Sequence, residues 1–250
     1  MEPVNQEILD LEIDGKVDYL RQKDFFDPTK TDVGITIVGA GGIGSFTTVL
    51  ASKMGFTDIV LFDDDSFEAH NIPNQFASRE QVGMSKVDAV KQTAESFGIA
   101  SVFTRKRQVD ENTLFSTPYV ASGLDSMSAR KATWEAIKTS NEDGSIKRYW
   151  DARIGGQGIN IFSVDPNNPD EVAAFESVCL YDDSEASTAP CTARAVIDVM
   201  GYVASFMTTQ FRREIGGESV PGYLNFSAET FTLETCSIER FAEFKAGVAV

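Results

Sequence analysis

The sequence is poor in the residues that carry most nucleophilic and metal chemistry, with one histidine and three cysteines in 250 residues. With His70 alone, no histidine is spare to build a Ser-His-Asp set around a nucleophile, so His70 reads as an exposed residue rather than a general base. Cys179, Cys191 and Cys236 are odd in number and widely spaced, which excludes a disulfide framework. Basic residues are also scarce. Twenty-two Lys and Arg stand against 38 Asp and Glu, a formal net charge of −16. Surfaces that hold nucleic acid or anionic membrane rest on clustered cations, so neither partner is expected; a basic or neutral one is. No apolar run approaches the length of about 20 residues that spans a bilayer. The opening MEPVNQEILDLEIDGKVD is acidic and lacks the charged-then-apolar order of a secretory signal, which predicts a cytoplasmic protein. No internal repeat or low-complexity tract is present.

What the chain does hold is concentrated between Ile35 and Lys86. Val33 to Val38 is a short, β-branched apolar run, the pattern of a buried parallel strand. Gly39-Ala40-Gly41-Gly42-Ile43-Gly44 follows as a G-x-G-x-x-G turning into a helix. Glycine is required there because a side chain would keep backbone amides from a phosphate, which the helix N-terminus then attracts. Asp58 to Phe62 predicts a second strand that ends in Asp63, where a carboxylate meets a ribose hydroxyl. Gly39, Gly41, Gly42, Gly44 and Asp63 thus predict a nucleotide site without choosing between a dinucleotide and ATP.

The next residues resemble one family. Asp63-Asp64-Asp65-Ser66-Phe67-Glu68-Ala69-His70-Asn71-Ile72-Pro73-Asn74-Gln75 is similar to the D-x-D-x-V-x-x-x-N-L-x-R-Q signature of ubiquitin-activating-type adenylyltransferases of the ThiF/MoeB/HesA kind. Gly83-Met84-Ser85-Lys86-Val87 resembles that family's G-x-x-K-V, Gly123-Leu124-Asp125-Ser126 with Arg130 its T-D-N…R, and Arg21-Gln22 the R-Q of its first helix. The resemblance runs from about Tyr19 to Leu233, with the motifs in family order. It implies a Rossmann-like, mostly parallel sheet with helices on both faces, extended by antiparallel strands on the C-terminal side. A single domain over 1–250 is implied, with a nucleotide half at about 33–140 and an acceptor-tail half at about 146–235.

The activity it implies is ATP-dependent activation of the C-terminal carboxylate of a ubiquitin-like or sulfur-carrier protein. The carboxylate attacks the α-phosphate, an acyl-adenylate forms and pyrophosphate leaves. Attack of one anion on another needs alignment and charge neutralisation more than covalent help. Lys86 is then a point charge for phosphates, and Asp125 at a strand's carboxyl end holds Mg²⁺ through oxygen. Asp63, Asp65, Asn74 and Gln75 border the nucleotide, and Asn71 bonds nucleotide or acceptor. The resemblance also implies a homodimer in which Arg21 reaches the neighbour's triphosphate. Family members with structural zinc use two C-x-x-C pairs; this chain has none, and no zinc is expected. One departure stands out: the signature arginine is Asn74 here, and an amide does not replace a bidentate cation. Either Arg79 or Arg21 supplies the charge, or turnover is slow, or the chain is a nucleotide-binding relic. Cys191-Thr192, at the start of a helix predicted over 192–213, resembles the Cys-Thr of thioester-forming members, and ordinary helix packing explains it equally. A Rossmann dehydrogenase using NAD would share Gly39 to Gly44 and Asp63 but has no use for Lys86.

Outside these motifs, the pattern predicts helices over 8–26, 85–97 and 126–138, and paired strands at 149–153 and 158–162. Arg153 pairs with Asp151 on a solvated surface or meets a carboxylate tail. Residues 166–190 read as a polar crossover loop, and 222–226 with 230–234 as a hairpin followed by a tail.

Overall fold

Short apolar runs alternating with amphipathic segments build a sheet covered on both faces. The computed structural model describes residues 12–13, 17–28, 34–181 and 196–247. Strand β3 (Ile35–Val38) is buried at all four positions, as a run without polar alternation must be when helices cover both faces. Its one polar residue, Thr36, is satisfied by the Thr117 hydroxyl at 2.7 Å. Helix α1 (Gly42–Met54), strand β4 (Asp58–Phe62), helix α2 (Lys86–Phe97) and strand β5 (Ser101–Arg105) wind outward on one side of β3. The chain then crosses back to place β6 (Tyr119–Ser122) on the other side. Helix α3 (Met127–Ser140) leads to β7 (Arg148–Gly155), the fifth parallel strand, and β8 (Gly158–Val164) returns antiparallel. After α4 (Pro169–Cys179) and α5 (Ile197–Ile215), β9 (Tyr223–Ser227) and β10 (Thr232–Cys236) extend the antiparallel end, and α6 (Ile238–Lys245) follows.

The eight-stranded order is β10-β9-β8-β7-β6-β3-β4-β5, the mixed, mostly parallel sheet expected. Helices α1, α2 and α5 cover one face, through Val49, Val90, Val203, Met207 and Phe211 among others. Helices α3, α4 and α6 cover the other, where Trp134, Tyr149 and Phe175 pack ring against ring. Order reverses at β3, so the crevice between the carboxyl ends of β3 and β6 is the topological switch point where α/β sheets take ligands.

Three local expectations change. Where the expected helix over 8–26 falls on described residues, β1 (Glu12–Ile13) and β2 (Val17–Asp18) pair antiparallel, with Ile13 opposite Val17, and a turn covers 20–25; residues 8–11 and 14–16 lie outside the described residues. β-Branched residues facing across a short connection favour pairing over a helix. The crossover region contains α4: Asn168 caps it by accepting from the Asp170 and Glu171 amides, Pro169 fills the first turn, and the two acids suit the helix dipole. Residues 182–190 of that region lie outside the described residues. The expected tail holds α6, capped by Ser237, whose hydroxyl accepts from the Arg240 amide.

Candidate active site

The glycine turn is built by backbone geometry. Gly39 has φ +94°, a conformation L side chains avoid, and its amide donates to the Phe62 carbonyl at 2.8 Å. A Cβ on Gly44 would lie 1.7 Å from the Gly39 carbonyl oxygen, so only glycine lets α1 settle against β3. Asp63 then clasps the turn from the end of β4. Its Oδ2 accepts from the Ala40 amide at 2.7 Å and its Oδ1 from the Asp65 amide at 2.8 Å. Burial lifts the Asp63 carboxyl above the usual aspartate range, against those amides and the Lys86 charge, which favour the anion.

Lys86 is the first residue of α2, and a cation at a helix N-terminus opposes the dipole. The residue is 9 % exposed, and its Nζ stands 2.7 Å from Asp65 Oδ2. Backbone contacts fix this: the Lys86 amide donates to the Asp65 carbonyl at 2.9 Å, and Ser66 bridges Ser85. Such a placement costs local stability, which points to a use for the charge.

The stretch 71–76 folds over the glycine turn. Asn71 Oδ1 accepts from the Glu68 amide at 2.9 Å, and the Phe76 amide donates to Ser45 Oγ at 3.0 Å, pinning the stretch to α1. Asn74 and Gln75 thereby arrive beside Gly42 and Gly41: a Cβ on Gly42 would lie 3.1 Å from the Asn74 carbonyl, and one on Gly41 4.0 Å from Gln75 Nε2. Asn74 Oδ1, Gln75 Oε1 and Ser85 Oγ are buried and without hydrogen-bond partners.

Asp125 stands across the crevice. The Gly123 amide donates to Val38 at 3.0 Å, and a Cβ on Gly39 would lie 3.0 Å from the Gly123 carbonyl, so the β6 exit abuts the glycine turn. Asp125 itself is exposed. Behind it lies a group that sequence reasoning placed on the surface. Asp151 is fully buried, accepting from Arg130 Nε at 3.1 Å and from Arg153 Nε and Nη2 at 2.9 and 2.6 Å. Burial opposes its charge, yet Arg153 and Arg130 hold its carboxyl below the usual range. The Asp151–Arg153 pair therefore forms, but inside the protein. Arg153 also donates to the Cys179 carbonyl at 2.8 Å and lies over the Phe162 ring.

Other expected residues are not brought here. Arg21 sits exposed on the 20–25 turn, whose Gln22 Nε2 donates to the Met54 carbonyl at 2.8 Å. Met54 closes α1, a 13-residue helix about 20 Å long, at the end away from the glycine turn. Arg79 is exposed on a 3₁₀ turn (Arg79–Gln81), and the Asn74 oxygen takes no bond from it. His70 is exposed beside Glu68 at 3.3 Å. Cys191 and the expected helix start at Thr192 lie outside the described residues; α5 runs over Ile197–Ile215. Among the described residues, the carboxylates close enough to share a cation are Asp63, Asp64 and Asp65, a group that does not include Asp125. No described helix is long and apolar enough to cross a membrane.

A glycine turn at the switch point, clasped by Asp63, defines a doubly wound α/β domain with a crevice at the carboxyl edge of its sheet. Residues 29–245 match the ThiF family model, and the chain belongs to the ThiF family. Ubiquitin-like modifier-activating enzyme 5 of Bombyx mori is 26 % identical over 230 residues, covering 82 % of this chain and 56 % of that protein. The Drosophila grimshawi counterpart is 39 % identical over 62 residues, 25 % of this chain and 16 % of its own length. The match thus spans between 16 % and 56 % of the length of these two curated relatives. Among solved structures, the microcin C7 biosynthetic enzyme MccB of E. coli, in complex with N-formylated MccA, superposes with a TM-score of 0.69 at 15 % identity, covering 84 % of this chain and 66 % of that one.

Proposed function

We propose that this chain is an ATP-dependent adenylyltransferase that activates the C-terminal carboxylate of a ubiquitin-like or sulfur-carrier protein. The observation that carries the reading is Lys86, a cation held at a helix N-terminus against the dipole, paired with Asp65 and close enough to Asp63, which clasps the glycine turn, to favour its charged form. A dehydrogenase gains nothing from it, whereas phosphoryl chemistry does. The residues present fit ATP·Mg²⁺. The glycine turn offers amides to phosphate, Asp63 keeps lone pairs for ribose hydroxyls, and Asn74 and Gln75 lie beside Gly42 and Gly41. Asp125 supplies a carboxylate oxygen of the kind Mg²⁺ takes, together with phosphate oxygens and water. Bound Mg²⁺ neutralises phosphate charge.

In the reaction, an acceptor carboxylate oxygen bonds to the α-phosphorus, the bond from that phosphorus to the β-bridging oxygen breaks, and pyrophosphate leaves. Lys86 offsets the charge that spreads over the phosphate oxygens, and the glycine turn holds the attack in line. The amide at Asn74 leaves one cation fewer than the family signature. Arg21 of a second copy fills that deficit in a homodimer, since Arg21 stands away from the glycine turn of its own chain.

Calorimetry provides the test. ATP with Mg²⁺ is expected to bind more tightly than NAD or NADH, and acceptor-dependent ATP–pyrophosphate exchange is expected with a small protein ending in Gly-Gly. Tighter binding of NAD overturns adenylylation; tight ATP binding without exchange leaves a nucleotide-binding subunit.

A further inference from the structure

The buried group behind Asp125 links every element on that side of the crevice. Asp151 pairs in register with Ser122, the last residue of β6, and Ser122 Oγ donates to Asp151 Oδ1 at 3.3 Å and bonds Tyr149 Oη at 2.8 Å. Arg130 comes from α3, whose start is fixed by Ser126 accepting from the Ala129 amide at 3.2 Å. Its fork divides. Nε goes to Asp151, and Nη2 donates to the carbonyl of Leu124, the residue before Asp125. Arg153 closes the other side, running from Asp151 to the Cys179 carbonyl at the end of α4.

Two guanidinium groups on one buried carboxylate are not needed for folding, since packed apolar residues of similar volume often serve stability as well or better. The fork's second arm explains the arrangement better. A carbonyl held by a cation fixes the peptide plane between Leu124 and Asp125, and so the direction in which Asp125 leaves the turn. We infer that Asp151, acting through Arg130, is a positioning residue that sets the Leu124–Asp125 turn for metal binding. The inference rests on the proposed role of Asp125 with ATP·Mg²⁺.

Arg130→Lys separates positioning from folding. An ammonium keeps a charge for Asp151 but has no fork to span Asp151 and the Leu124 carbonyl. The full chain is titrated with Mn²⁺ in the presence of ATP, and bound metal is read by electron paramagnetic resonance. ATP binding without metal is measured in parallel, in chelator. Partners of metal ligands typically govern affinity by about 10- to 100-fold. Arg130→Lys and Asp151→Asn are each expected to weaken Mn²⁺ binding by about tenfold or more, leaving metal-free ATP binding within about twofold of wild type. The concentration of Mg²⁺ giving half-maximal exchange rises in step. A triple replacement, Arg130→Met with Asp151→Leu and Arg153→Met, guards against an unfolded single variant: folded, it shows the same metal defect. Wild-type Mn²⁺ affinity in Arg130→Lys, or in the folded triple variant, overturns the inference. If wild type itself binds no Mn²⁺ with ATP, the proposed function fails before the positioning role is reached.

Discussion

On the proposed function, replacing Lys86 with alanine is expected to lower acceptor-dependent ATP–pyrophosphate exchange by about 10²- to 10³-fold, the cost of losing one preorganised charge. The fold survives. Lys86 Nζ meets Asp65, whose side chain is 67 % exposed, so the carboxylate left behind is solvated and the lost pair contributes little to stability. Alanine at the first position of α2 also removes a cation that opposes the helix dipole. Thermal unfolding therefore stays level or rises slightly while turnover collapses. The fall is expected mainly in kcat, because a charge used as negative charge redistributes stabilises the transition state more than bound ATP. Exchange at the wild-type rate in this variant removes Lys86 from the chemistry, and with it the feature that separates adenylylation from dinucleotide binding.

Gly44→Ala has the largest structural effect. The new methyl falls 1.7 Å from a backbone oxygen of Gly39 and 2.8 Å from its carbon, and neither can rotate away as a side chain would. The glycine turn or the seating of α1 on β3 must give way. Destabilisation of about 3 kcal/mol or more follows. In a chain of this size that lowers the unfolding temperature by about 6 to 12 °C, and ATP binding is lost with the turn. Gly42→Ala, two residues away, behaves differently. There the methyl meets Met200 Sδ at 2.6 Å and Cε at 2.9 Å, the mobile end of a side chain on α5. Its cost is smaller, and Met200→Ala in the same chain recovers part of it, an interaction a double-mutant cycle reads directly. Gly44→Ala gains nothing from Met200→Ala. An unfolding temperature for Gly44→Ala equal to wild type contradicts the packing described.

The glycine turn and the strands and helices around it were legible because their signals are local. Gly39 and Gly44 are forced by backbone geometry, and Asp63 stands at the end of the next strand, where it bonds the turn's Ala40 amide. The α4 start was equally local, in Asn168-Pro169-Asp170-Glu171, but the acidic character of 166–190 masked it. The segment 8–26 misled because Ile13 and Val17 fit a helix face as well as a strand pair, and tertiary pairing decided between them. The Asp151 group was not legible. Asp151 and Arg153 sit two apart on one strand, a spacing common to exposed ion pairs, and nothing in the sequence announces that Arg130 arrives from α3 to close the other side. Burial of a charge is a property of the assembled sheet. The departure at Asn74 was legible as a missing cation, whereas its unpaired oxygen emerges only with the fold.

The central position of β3 also governs how the chain comes to be folded. Ile35 pairs with Ile59 on one flank and with Tyr119 on the other. On a ribosome adding about 5 to 20 residues each second, the first flank is available seconds before the second. In that interval β3 presents a bare row of amides and carbonyls, an edge that invites another nascent strand. The Gly123 amide that ties β6 to the end of β3 belongs to the late arrival, as does Asp125. The crevice at the switch point is thus unfinished on the partial chain. The seam that completes the crevice is the same seam that ends the chain's exposure to aggregation.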